Sequence, residues 1–172
     1  MRLRYRLWQI WQDVTVKAPL PPEARQEIGG VLSVAELRLF DRYGPRDQQH
    51  AYLVYQTLLA AGHTSRPLLA AALLHDVGKA RVRLRAWDRM LPVLVETVWP
   101  SLARRWGAGA PEGWRRGFAV RRQHPAWGAE MARAAGSDAL TVDLICRHQI
   151  PPHQTTPEDH LLHLLQWADD RS

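Results

Sequence analysis

Apolar residues recur at helical spacing along most of the chain, and helix start and stop signals divide them into segments. Ser33 and Glu36 have the spacing of a capping box, which predicts that a helix begins after Ser33. Pro45 suits the first turn of a second, longer helix, and Gly62 marks its end. Because no segment of useful length alternates between apolar and polar residues, the sequence predicts an all-α fold.

The segment after Ser65 is apolar on nearly every side, so we expect a buried, central helix from Leu68 to about Val77. Residues 80–123 predict one or two helices with several breaks. These breaks fall at Pro92, Pro100, residues 107–111 and Gly113. The remaining predicted helices are residues 125–136, beginning at Pro125, residues 138–149 and residues 161–169.

The length of 172 residues fits one domain with its own core. We interpret residues 1–30 as a basic lead-in that packs on or flanks the domain, and residues 31–172 as the domain itself. The single cysteine, Cys146, excludes an internal disulfide and a Cys-pair zinc site, and we expect it to be buried. Without a recognisable membrane span or secretory signal, a cytoplasmic location is expected.

Positive charge is concentrated in one part of the chain. The net charge is +6. Of the 23 basic residues, all are arginine except Lys17 and Lys79. Residues 77–122, here named the basic segment, hold eleven basic and three acidic residues and so carry +8. Solvated, arginine-rich helix faces would give this pattern, and so would an anionic partner such as phosphate or nucleic acid.

An adjacent histidine and aspartate, His75 and Asp76, come at the end of the most apolar helix. Burying both side chains is costly unless something pairs with them, and a divalent cation would pair with both. The C-terminal end of a helix also favours a cation. The alternative is a hydrogen-bonded His–Asp pair that caps the helix.

Four further residues fit the same site. His50, His148 and Asp169 follow apolar residues at helical spacing, so their side chains are expected to face inward. A histidine such as His50 is also often an ordinary core residue. His124 precedes Pro125 at a predicted helix start, from where its imidazole could turn toward a neighbouring site or remain in a loop.

The combined set contains four imidazoles, two carboxylates and no thiolate. Its members are His50, His75, Asp76, His124, His148 and Asp169. This mixture suits iron, manganese, zinc, cobalt or nickel better than magnesium. Six ligands exceed what one open catalytic ion needs, whereas two ions bridged by Asp76 would use all of them.

The order of these residues resembles that of the HD-domain metal-dependent phosphohydrolases, whose pattern is His, His-Asp, Asp. Some subgroups insert two further histidines before the last aspartate, and this chain matches that longer form over about residues 45–170. The segment HDVGK at residues 75–79 is similar to the family's HD-[IV]-G-K variant. The resemblance implies an α-helical bundle and a two-metal centre bridged by Asp76.

Two subgroups are nearest in sequence pattern, the HD-GYP phosphodiesterases and the symmetrical dinucleoside tetraphosphatases. The segments HPAWGAEMARAAG and LICRHQ carry this likeness. However, no Gly-Tyr-Pro sequence follows His124, which disfavours hydrolysis of cyclic di-GMP. The chain also lacks the segment that follows the last aspartate in the tetraphosphatase subgroup.

These observations favour a hydrolase that cleaves a phosphomonoester or phosphodiester of a nucleotide-like substrate with metal-activated water. Asp76 would bridge the ions, while Lys79 and Arg46 would bind phosphate oxygens, although both could be ordinary solvated residues. The alternatives are a catalytically quiet HD module with a regulatory or interaction role, and a basic nucleic-acid-binding protein. We rank the last lowest because the chain contains no recognised nucleic-acid motif.

Overall fold

The protein is helical throughout residues 19–172, the part of the chain that the computed structural model describes. These residues form nine α-helices and three short 3₁₀ segments, at Val77–Arg81, Gly113–Arg115 and Pro152–Gln154, and they contain no strand. The α-helices are α1 Pro22–Val31, α2 Val34–Phe40, α3 Pro45–Ala60, α4 Arg66–Leu74, α5 Ala86–Val98, α6 Pro100–Gly107, α7 Arg116–Ala134, α8 Ala139–Arg147 and α9 His160–Asp169. The prediction of an all-α fold is confirmed.

Helix α4 lies at the centre of the bundle. All of its residues from Leu68 to Leu74 are buried, as expected for a helix that is apolar on every side. Helices α3, α8 and α9 pack around it, and α1 and α2 contact it as well. The helix ends at Leu74, so His75 and Asp76 leave its C-terminal end inside the core.

The N-terminal helices follow the local signals in the sequence. The Ser33 hydroxyl accepts a hydrogen bond from the Glu36 N–H, and the Glu36 carboxylate accepts one from the Ser33 N–H, which confirms the capping box. Ala24 and Ile28 of α1 are part of the hydrophobic core. Residues 1–18 of the predicted lead-in lie outside the described residues.

Helix α7 corrects the prediction that a helix begins at Pro125. The helix starts nine residues earlier, at Arg116, and continues through the proline to Ala134. Proline lacks the N–H that would bond to the carbonyl of Arg121. The His124 Nδ1 lies 3.1 Å from that carbonyl oxygen and 2.9 Å from the carbonyl oxygen of Val120. The imidazole therefore supplies a replacement donor, and the helix is not broken.

Two other expectations differ from the structure. Pro92 does not interrupt α5, which runs from Ala86 to Val98. Cys146 is exposed rather than buried. Its two predecessors on α8, Leu144 and Ile145, face the core, and one further helical step of about 100° turns Cys146 away from it.

The 3₁₀ segment that follows Asp76 packs directly on the backbone of α7. A Cβ atom added to Gly78 would lie 2.0 Å from the carbonyl oxygen of His124 and 2.7 Å from the amide nitrogen of Gly128. Only glycine allows two backbones to approach so closely. This contact brings the residues at the end of α4 beside the middle of α7.

Candidate metal centre

The fold brings all six predicted ligands into one cluster. They come from three helices and from the ends of two others: His50 from α3, His75 and Asp76 from the end of α4, His124 from α7, His148 from the end of α8 and Asp169 from α9. Within the described residues, two groups have ligand atoms within 4.8 Å of one another, and they share Asp76. The cluster is therefore arranged around this aspartate.

The two carboxylate oxygens of Asp76 face different groups of residues. Its Oδ1 lies 3.1 Å from His124 Nε2 and 3.7 Å from His148 Nε2. Its Oδ2 lies 3.5 Å from His75 Nε2 and contacts the Lys79 ammonium group. A carboxylate placed in this way can offer one oxygen to each of two cations.

Asp169 completes the group around His75. Its Oδ1 lies 2.9 Å from His50 Nε2 and 3.5 Å from His75 Nε2. The Asp169 side chain is about one-third exposed, as is that of His50, whereas His75 and Asp76 are buried. This half of the cluster therefore opens toward solvent on the side of His50 and Asp169.

Backbone carbonyls orient the three buried imidazoles. The Nδ1 atoms of His75, His124 and His148 lie 2.8–2.9 Å from carbonyl oxygens three or four residues earlier in the chain. These oxygens belong to Ala72, Val120 and Ile145. Because a carbonyl only accepts, each Nδ1 carries a hydrogen, and each Nε2 faces into the cluster, where it can coordinate a cation once it is unprotonated.

The polar atoms of the cluster are suited to bind a cation. His75 Nε2 is buried and has no hydrogen-bond partner within residues 19–172. His124 Nε2 and His148 Nε2 face one another at 3.3 Å, beside the Asp76 oxygen. A buried polar atom without a partner is costly, and a cation held by these nitrogens and by Asp76 would supply that partner. The donor set of imidazoles and carboxylates suits a divalent transition metal.

The pKa values show how strongly the charges in the cluster interact. Burial raises the pKa of Asp76, but the charges of Lys79 and His75 outweigh burial and hold this pKa well below its usual value. Burial also lowers the pKa of His75, yet the carboxylates of Asp76 and Asp169 raise it overall to about 9. A proton on His75 thus balances part of the negative charge when no cation is bound.

His148 behaves in the opposite way. Burial and the charge of the neighbouring His75 together lower its pKa to about 3. His148 is therefore neutral at pH 7, which is the state in which an imidazole coordinates a metal.

A cavity of about 220 Å³ adjoins the cluster at His124. Arg46 and Lys79, the two residues predicted to bind phosphate, both line it. Arg89 and Arg121 line it as well, each also paired with a carboxylate. Sequence reasoning did not single out these two arginines, because only the folding of α5 against α7 brings them together. Their sole signal was their place in the basic segment.

An all-helical bundle whose helices bring histidines and aspartates together in one buried cluster defines a class of metal-binding helical domains. A comparison with protein-family models identifies the class more closely: the HD domain model matches residues 48–172. This match covers most of the chain, which therefore belongs to the HD domain family, a superfamily of metal-dependent phosphohydrolases. Comparisons with curated proteins and with solved structures gave no match.

The helices were also compared with the dimensions of a bilayer. Among the described residues, no helix combines the length and the apolar character that crossing a membrane requires.

Proposed function

We propose that the protein is a hydrolase that cleaves a phosphomonoester or phosphodiester of a nucleotide-like substrate. The observation that carries this proposal is the division of the two Asp76 oxygens between two groups of imidazoles. A hydrogen-bonded helix cap would need only one of these contacts. The unpaired, buried Nε2 of His75 supports a site that is completed by a cation.

The residues that would hold two divalent ions fall into two sets that share Asp76. His50, His75 and Asp169 form one set, and His124 and His148 form the other. Iron, manganese, zinc, cobalt and nickel fit these ligands better than magnesium does. Ions bound there would supply an activated water as nucleophile and polarise the phosphoryl group.

The cavity beside His124 supplies the groups that bind and orient the substrate. Arg46 and Lys79 would contact phosphate oxygens, and the guanidinium groups of Arg89 and Arg121 add positive charge to the same wall. Leu84 and Val93 contribute an apolar wall against which a base or sugar can pack. A phosphate group attached to a compact, partly apolar group matches this lining.

A metal-content measurement on purified protein tests the metal centre. We expect bound transition metal in the wild type and a loss of most of it in the His75→Ala and Asp76→Ala variants. His153→Ala is the matched control, because His153 is exposed and lies outside the cluster. Unchanged metal content in both cluster variants would contradict the assignment.

A substrate screen then separates the hydrolase from a catalytically quiet HD module. Nucleotides, dinucleoside polyphosphates and cyclic nucleotides are tested with manganese, iron, cobalt, nickel and magnesium. Release of phosphate or nucleotide that is lost in Asp76→Ala supports the hydrolase. A metal-loaded protein with no turnover across the panel would favour the quiet module instead.

A further inference from the structure

Helix α5 carries an exposed apolar face that is unusual for the outer surface of a domain. Trp87, Leu91, Leu94 and Val98 recur at spacings of four, three and four residues, so they lie on one side of the helix. All four are exposed, Trp87 by 63% and Val98 by 61%. Contiguous exposed patches of large apolar side chains commonly mark an interaction surface.

The opposite side of α5 holds the helix in place. Asp88 is buried and its carboxylate accepts a hydrogen bond from the Arg85 N–H. A Cβ added to Gly117 of α7 would lie 1.9 Å from the Asp88 carbonyl oxygen, so the two backbones are in close contact. The exposed apolar face is therefore not needed to attach α5 to the bundle.

The surroundings of this face are positively charged. Arg83 precedes α5, and Arg105 lies on the neighbouring helix α6; both are exposed. Four other arginines of the basic segment pair with carboxylates, as Arg81 does with Glu130. Within residues 19–172, Arg83 and Arg105 have no ion-pair partner. Their charge is available to a molecule that covers the face.

Charge decides which occupant fits. A second copy of the chain would place the same basic surroundings against each other, and like charges repel. Residues 1–18 carry four basic residues and one acidic residue, so they would also bring positive charge. An anionic occupant complements the face instead.

The shape of the face favours a lipid surface over a protein helix. Its side chains project from one helix rather than lining a groove. Trp87 lies at the beginning of α5, and Trp99, which is 61% exposed, directly follows its end. Tryptophan prefers the boundary between head groups and acyl chains, and cationic residues attract anionic lipids.

We propose that α5 attaches the protein to an anionic phospholipid surface. The helix lies in the plane of that surface, with Trp87, Leu91, Leu94 and Val98 inserted at the level of the upper acyl chains. Arg83 and Arg105 contact the lipid phosphates. This attachment uses none of the candidate metal ligands and is independent of the proposed hydrolase function.

The test uses the full chain and sedimentation with vesicles, in the presence of a chelator. We expect binding to vesicles of equal parts phosphatidylcholine and phosphatidylglycerol, and at least tenfold weaker binding to phosphatidylcholine alone. The double variant Leu91→Glu/Leu94→Glu should weaken binding by more than about tenfold, since two inserted leucines are lost. Arg105→Ala should weaken it by about fivefold, the value of one surface charge.

Leu53→Glu is the matched control, because Leu53 is an exposed leucine on another helix, α3. It should bind vesicles as the wild type does. Circular dichroism checks that each variant is folded. Brominated lipids provide a second readout that needs no charge substitution. They should quench the tryptophan fluorescence of the wild type more strongly than that of the Trp87→Phe variant.

Two results would overturn the proposal. One is that the wild type does not bind anionic vesicles, or that the Leu91→Glu/Leu94→Glu variant binds them as tightly as the wild type does. The other is a wild-type dimer in analytical ultracentrifugation that the same variant converts to monomer, because the apolar face would then be an interface between copies.

Discussion

Replacing Gly78 by alanine tests whether the contact between the 3₁₀ segment and α7 builds the candidate metal centre. The new Cβ would lie 2.0 Å from the carbonyl oxygen of His124, whereas ordinary contacts begin at 3.4 Å. The two backbones must therefore separate by about 1.4 Å. Such a shift would also separate Asp76 Oδ1 from His124 Nε2, which are now 3.1 Å apart.

The expected cost is that of overpacking a core, about 1–3 kcal/mol. For a domain of this size it corresponds to a melting temperature lower by roughly 2–12 °C. Metal content should fall together with stability, because a divalent ion tolerates little change in ligand distance. Thermal unfolding followed by circular dichroism and elemental analysis of the metal-loaded protein measure the two effects.

Three other glycines provide graded controls. Gly29→Ala should be harmless, since nothing lies within 4 Å of its new Cβ, and Gly128→Ala should be intermediate, with its nearest contact at 3.1 Å to an Ile145 methyl group. Gly117→Ala meets the Asp88 carbonyl at 1.9 Å, so it should lower stability while metal remains bound. Wild-type stability and metal content in Gly78→Ala would refute the reasoning.

Three further predictions concern the cluster and its cavity. Asp76→Asn should lose most bound metal while remaining folded, and elemental analysis that finds the wild-type content would contradict the bridging role. In chelator-treated protein, stability should fall by roughly 3 kcal/mol as pH rises from 6.5 to about 9, because folded His75 holds its proton to about pH 9. It should also fall as pH decreases below 6.5, because His148 resists protonation until about pH 3. A melting temperature that does not fall above pH 6.5 would argue against the His75 shift, and one that does not fall below pH 6.5 would argue against the His148 shift. Arg121→Ala should reduce kcat/KM by roughly 10- to 100-fold, mainly through KM, if its guanidinium binds phosphate; steady-state kinetics with unchanged KM would exclude that role.

Much of the site could be predicted because its residues occupy regular positions on helices. His50 and Asp169 each continue an apolar face, so helical spacing alone directs them inward. His75 and Asp76 are marked by the apolar helix that precedes them. Local rules therefore identify which side chains enter the core, and the ordered family pattern indicates that they meet.

What could not be predicted depends on contacts between distant segments. The rule that proline begins or ends a helix failed at Pro125, because the His124 imidazole replaces the missing donor. The cavity arginines Arg89 and Arg121 lie on different helices, so neither spacing nor local charge shows that they share one wall. Exposure of the α5 face is likewise a property of the assembled bundle.

The proline inside α7 has a consequence for engineering the protein. Alanine at position 125 would restore a backbone hydrogen bond to Arg121 and remove a residue that costs a helix interior up to about 3 kcal/mol. The imidazole of His124 would then compete with the main chain for that carbonyl and lose part of its anchorage. Selection for heat resistance would thus favour alanine at position 125, whereas selection for tight metal binding would favour proline.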